Sequence, residues 1–309
     1  MTLASGQASV FGIAVDATNV YWSTDIPNGN PTFKTDCAVM KMPVAGGAAV
    51  VFATVTASRG YDIAVDATRL YLTTQWNDFG TGDGEVFRWP LGGGAGSKIG
   101  ASLYTPRGLA VGPSYVYWAN VVPVQSHLEG ASLTGGPAPK FIDNNFATVL
   151  VHGIAADATS VYTTSDRGSF PGAQIVKWPA DGGDFVSLAM NQPGPNYIAV
   201  DATNLYWTNL GTVNGVMQDH QGTVVKMPKA GGAITTLATG LGGARKIVVD
   251  ATHVYWSDDV DSVIMKVPIA GGAPTVLASG QMGANGLAVD GTSVYWTDSI
   301  ALTVMKAAK

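Results

Sequence analysis

Residues 286–298 read "GLAVDGTSVYWTD", and the same words return as "GIAVDATNVYWST" at 12–24 and "IVVDATHVYWSD" at 247–258. The opening apolar phrase starts at Ile13, Ile63, Leu109, Ile154, Ile198, Ile247 and Leu287, with spacings of 50, 46, 45, 44, 49 and 40 residues. Each copy leads into a tyrosine, at 21, 71, 117, 162, 206, 255 or 295. A third segment follows, such as "VMKMPVAGG" (39–47) or "IMKVPIAGG" (264–272), and a fourth, such as "PTVLASG" (274–280), closes the unit. A repeat of this length is one structural unit that buries its faces only against its neighbours.

Each unit predicts four short strands. "GIAVD" is short and apolar, as a strand buried on both faces must be. "VYWTD" is rich in β-branched and aromatic residues. "VMKMP" alternates outward lysine with inward apolar positions. "DATN" and "AGGA" carry the Asp, Asn and Gly of tight turns. Four-stranded units at a period of about 40–45 residues predict an all-β, seven-bladed β-propeller of antiparallel blades. The last repeat lacks its fourth strand, and "TLASGQASVFGIAVD" (2–16) parallels "VLASGQMGANGLAVD" (276–290). The N-terminal strand is therefore expected to complete the last blade, which takes residues 286–309 plus 1–6 of one domain spanning 1–309. Closure removes the open sheet edge that invites aggregation.

These words resemble known families. "VYWTD" at 294–298 is similar to the YWTD-repeat propellers of lipoprotein receptors. The "GIAVD…VYW" cadence resembles the NHL propellers and the streptogramin (virginiamycin B) lyases. That resemblance implies the propeller fold firmly and an activity only weakly.

Composition narrows the function classes. Apolar residues make up 46% of 309, charged residues 13%, and glycine is abundant at 39. The net charge is −5 with no Lys/Arg cluster, so nucleic acid and anionic membranes are excluded as principal partners. No apolar run reaches the ~18 residues that span a bilayer. A single cysteine, Cys37, rules out an internal disulfide framework. Met1 falls inside a repeat, and the expectation is a bacterial, monomeric protein, secreted or periplasmic rather than cytoplasmic.

The Tyr, Trp and closing Asp/Asn of the repeated phrase read as scaffold, because every blade meets the same packing problem. Variation concentrates elsewhere. The connections after the second strands are long in the first five repeats and short in the last two, and all are expected on one face. The pairs just ahead of the inner strands are Phe11-Gly12, Tyr61-Asp62, Arg107-Gly108, His152-Gly153, Asn196-Tyr197, Arg245-Lys246 and Asn285-Gly286. They are expected to ring the channel mouth on that same face, the glycines leaving room for a ligand. Arg107, Arg245 and Lys246 are the candidate clamp for a carboxylate or phosphate. His152 is the candidate acid–base group, with Asp62 beside it in that role. Phe11, Tyr61 and Tyr197 are candidate stacking walls, and Asn196 and Asn285 candidate polar contacts.

"HGIA" at 152–155 resembles the histidine phrases of the streptogramin lyases. Those enzymes open a lactone by elimination with a His, a Glu and a divalent metal, and only His152 matches by position. Lactonases of the SMP-30 type hold calcium with Glu, Asn and Asp near the same mouth, a set that Asp62, Asn196 and Asn285 fill in part. The resemblance thus implies Ca or Mg at the mouth as the one cofactor to look for. The expected partner is a small anionic or cyclic molecule. The alternative is a non-catalytic scaffold that docks a protein, peptide or glycan through Trp76, Phe79, Phe170 and Met217. Residues 92–98, "GGGAGSK", lack the order of a phosphate loop and read as a turn. Asp258, Asp259 and Asp261 match no calcium loop, and His127 and His220 have no zinc spacing.

Overall fold

The computed structural model describes residues 1–26, 35–75, 84–121, 126–136, 138–141, 150–166, 172–213, 216–217 and 219–309. Contacts divide the chain into two compact units, Met1–Leu109 with Asn285–Lys309, and Ala110–Ala284.

The fold class is all-β, a seven-bladed propeller of antiparallel sheets. The first unit holds blade 1 (Ile13–Val15, Asn19–Ile26, Asp36–Pro43, Val50–Val55) and blade 2 (Arg59–Val65, Arg69–Gln75, Gly84–Pro90, Ser97–Leu103). It also holds blade 7, where Thr2–Ala4 pairs with Thr303–Ala308 in register Thr2 to Met305 and Ala4 to Val304. The N-terminal strand supplies the missing edge, as the repeat arithmetic requires. The second unit holds blade 4 from Leu150–Ala156 to Val186–Ala189, blade 5 from Pro195–Val200 to Thr235–Leu241, and blade 6 from Ala244–Val249 to Thr275–Ser279. Blade 3 has three strands among the described residues, Thr105–Val111, Tyr115–Val121 and Ser126–Ser132. Much of the long connections, with Trp76, Phe79 and Phe170, lies outside the described residues. Met217 falls in a small hairpin, Thr212–Val213 against Val216–Met217.

Adjacent residues of a strand point to opposite faces, and the aromatic pair exploits this. Tyr21 joins the core between blades 1 and 2, whereas Trp22 joins the core between blades 7 and 1. Tyr206 likewise packs toward blade 6 and Trp207 toward blade 4. The cores between blades 7 and 1, 4 and 5, and 5 and 6 thus each receive a tyrosine of the phrase from one blade and its tryptophan from the next. All seven tyrosines of the phrase are buried at 1% exposure or less, so their hydroxyls need partners. The Asp closing the inner strand supplies one. Tyr21, Tyr71, Tyr162, Tyr206, Tyr255 and Tyr295 donate to Oδ2 of Asp16, Asp66, Asp157, Asp201, Asp250 and Asp290 at 2.7–3.1 Å. The other oxygen caps the turn: Asp16 Oδ1 accepts from the Thr18 and Asn19 amides, both at 2.7 Å. Burial alone raises these carboxyls. The hydrogen bonds outweigh it and hold Asp16, Asp66, Asp201 and Asp290 below the usual carboxylate range.

The closing residue of the phrase divides by type. Asp258 accepts backbone amides from Gly243 and Asp261, and Asp298 from Ile300 and Ala301. Asn120 and Asn209 instead donate to side chains, Glu129 and Thr223. Cys37 is fully buried, and burial followed by the Asp25 charge pushes its thiol up to about 12. No helix among the described residues is long and apolar enough to cross a membrane.

Candidate functional site

Six of the seven varying pairs lie inside the inner strands rather than ahead of them, because those strands start three or four residues before the apolar phrase. Only Phe11-Gly12 precedes its strand, Ile13–Val15. In several blades a buried hydroxyl fixes the backbone of the pair. The position after the Trp is Ser or Thr in six repeats and Ala119 in the seventh. Thr208 accepts the Tyr197 amide at 3.1 Å within blade 5 and donates to the Arg245 carbonyl of blade 6 at 3.0 Å. Thr297 accepts the Gly286 amide at 2.9 Å and donates to the Phe11 carbonyl at 2.6 Å. Thr164 does the same between the Gly153 amide and the Asn196 carbonyl. Sequence reasoning missed this clasp. Its signal was the steady hydroxyl beside an unsteady neighbour.

The glycines of these pairs serve the same approach. A Cβ on Gly153 would lie 2.7 Å from the Asn196 carbonyl oxygen and 2.8 Å from the Ile198 nitrogen. A Cβ on Gly286 would lie 2.6 Å from the Phe11 carbonyl oxygen. The space expected to admit a ligand is filled by the backbone of the next blade.

In the first unit the ring aromatics lie beneath cations from the following repeat. The Arg59 guanidinium sits 5.8 Å from the Phe11 ring centroid and pairs with Asp25 at 3.3 Å. The Arg107 guanidinium sits 5.5 Å from the Tyr61 ring. Its buried Nε has no hydrogen-bond partner among the described residues. Asp62 accepts the Ile63 amide at 3.1 Å, and Asn285 donates to Ser299 at 2.8 Å.

The second unit repeats the stacking. Lys246 Nζ lies 4.4 Å from the Tyr197 ring centroid, a contact worth about 0.5–2 kcal/mol according to its desolvation. Arg245 turns away to an ion pair with Asp259, Asn196 is buried at 5% exposure, and His152 is half-buried. Among the described residues no group of three or more His, Cys, Asp or Glu stands together to hold a metal ion. His220 bridges Asp219 and Asp261 on the surface, and its hydrogen bonds to the carboxylates, first Asp261 and then Asp219, raise its pKa.

The chain matches no protein-family model and no curated protein. Solved structures are similar. One is the β-propeller domain of the Trilobed protease from Pyrococcus furiosus, at 11% identity, TM-score 0.71, covering 98% of this chain and 94% of that one. A streptogramin B lyase structure follows at 10% identity and TM-score 0.69, covering 99% and 95%. A chain of a nidogen–laminin complex has 18% identity and TM-score 0.56, covering 86% and 90%. The chain has the propeller fold. At these identities the likeness is one of fold alone, and its bearers include a lyase, a protease domain and a nidogen–laminin complex. For this propeller, function has to be argued from its own side chains.

Proposed function

We propose that this propeller binds a small anionic molecule at the start of an inner strand, Thr105–Val111, with Arg107 of the first unit as the anchoring cation. The observation that carries the reading is the Arg107 guanidinium, held over Tyr61 while its buried Nε donor finds no acceptor among the described residues. An unmatched charged donor is expensive to bury. A carboxylate or phosphate oxygen would satisfy it, and guanidinium geometry favours two such bonds at once. Tyr61 beneath the guanidinium fixes its plane before the ligand arrives, which lowers the ordering cost of binding.

Separately, the half-buried His152 of the second unit is read as a group that exchanges a proton with an anionic or cyclic substrate, in the manner that the likeness to a streptogramin B lyase suggests. The binding step is tested first, by calorimetric titration of inorganic phosphate, acetate and citrate. One of these is expected to bind at one equivalent. Arg107→Ala should weaken it at least tenfold, and Arg107→Lys should recover only part, since lysine cannot present Nε. Equal affinity in wild type and Arg107→Ala, or no binding of any of the three anions, sinks the assignment. His152→Ala should leave that affinity within twofold while abolishing any turnover of a lactone panel.

A further inference from the structure

The repeat breaks at three positions near one tyrosine, two in blade 3 and one in blade 4. The residue paired across the strands with the phrase tyrosine is Lys41, Arg88, Lys177, Lys226, Lys266 or Lys306 in six blades, and Gly130 opposite Tyr117. Where the contact is close, the ammonium lies over the ring, 5.8 Å from Tyr21, 5.9 Å from Tyr162 and 5.2 Å from Tyr295. Tyr117 lacks that cation. It also lacks the aspartate, because Gly112 stands where the other six repeats have Asp. The hydroxyl instead donates to the Ala180 carbonyl at 2.8 Å.

The third break is Ala180 itself. The residue after the third-strand proline is Val44, Leu91, Lys229 or Ile269 elsewhere, and those side chains pack toward the preceding blade. Lys229 does so as a cation, bonding Asp157 Oδ2 of blade 4 at 2.7 Å. With Gly112 for the aspartate and Ala180 for the long side chain, both members of that pair are missing between blades 3 and 4. A cavity of about 340 Å³ takes their place, lined among others by Ser114, Tyr115, Tyr117, Thr159, Ala180 and Asp181. That size is at the lower end for small-molecule sites. Tyr115 and Tyr117 meet there at 6.1 Å between centroids, tilted by 48°. Asp181 carries the single charge on the lining, and it forms no ion pair among the described residues. Burial first, and then neighbouring charges that include Asp181 and Asp157, push the Tyr117 hydroxyl upward.

We propose that this cavity binds a small organic ammonium ion, its charge against the Asp181 carboxylate and its alkyl chain against the half-buried Tyr115 ring, which Tyr117 backs from beneath. The next repeat shows the complement: Lys229 of the chain sets its ammonium against the Asp157 carboxylate in the equivalent place between blades 4 and 5. Aromatic faces with one carboxylate favour a cation over a neutral or anionic ligand. The site is independent of Arg107 and stands or falls separately.

The test is an NMR titration of the full chain with n-butylammonium at constant ionic strength, with n-butanol and butyrate as controls. Saturable shifts confined to residues 113–117 and 180–181 are expected with n-butylammonium alone. Asp181→Asn should weaken binding at least fivefold. Ala180→Ile, which restores the side chain that blade 6 has at Ile269, should abolish it. Ala180→Val, after Val44, replaces it if the larger side chain lowers the melting temperature markedly. Equal response to n-butanol, retention of binding in the filled variant, or no saturable shift at all overturns the proposal.

Discussion

Thr208→Val isolates the hydroxyl clasp. The side chain is fully buried, and valine keeps its volume while replacing the hydroxyl by a methyl. Two hydrogen bonds are lost, from the Tyr197 amide at 3.1 Å and to the Arg245 carbonyl at 3.0 Å. Each contributes about 1 kcal/mol net, but a buried polar group left unmatched costs about 1–3 kcal/mol, so the total is about 2–4 kcal/mol. An unfolding entropy of about 2.1 cal/mol/K per residue over 309 residues amounts to about 0.65 kcal/mol/K. The melting temperature should therefore fall by about 3–6 °C in a calorimetric scan. Thr208→Ser keeps the hydroxyl and loses one methyl, about 1 kcal/mol, which corresponds to about 1–2 °C. Amide exchange at Tyr197 should accelerate in the valine variant alone. If valine melts within 1 °C of wild type, or serine falls as far as valine, the clasp does not hold the blades as argued.

Two further outcomes follow from the ionisable groups. Burial raises the Asp157 carboxyl, but Lys229 and the Thr159 amide overcome this and bring it to about 2. A depressed folded pKa gives stability that is present above pH ~4 and lost as pH falls toward ~2. With its side chain only 16% exposed, Asp157 contributes about 2 kcal/mol over that window, and Asp157→Asn should flatten the acid limb of a urea midpoint against pH. Asp258, raised chiefly by burial, works in the opposite direction. An acid limb that is unchanged in Asp157→Asn refutes the assignment. Cys37, buried with its thiol pushed up to about 12, should resist a thiol reagent at pH 8 in the folded protein and react fully in urea; stoichiometric labelling of the native chain would contradict its placement.

The blades could be counted from sequence because a strand announces itself locally. Period-two apolar patterning, turn residues and a repeated phrase are properties of ten neighbouring residues, and the parallel between residues 2–16 and 276–290 located the closing strand without coordinates. Contacts between blades were less legible. Thr208 and Arg245 are 37 residues apart, and nothing in either local word says that one holds the other. The glycines at 153 and 286 fit a ligand-approach reading equally well until the next blade's backbone is in place.

The candidate ring was visible as the set of positions where the repeats disagree, and its residue types were named correctly because they are the sequence itself. What those side chains touch was not. Arg245 and Lys246 read alike as anion clamps, yet one pairs with Asp259 and the other lies over Tyr197. Adjacent residues of a strand face opposite ways, so neighbours in the chain acquire different neighbours in space. Gly112, Gly130 and Ala180 looked like minor lapses of the repeat. Tertiary structure brings all three near Tyr117, where Pro139 and Phe141 fill the space beside Gly130 and the cavity opens on the side of Ala180. The sequence by itself determined the strands, the count of blades and the closing partner, since each is set by local pattern. Only the packing of one blade on the next decided which charges are matched, which space is filled and which is left open.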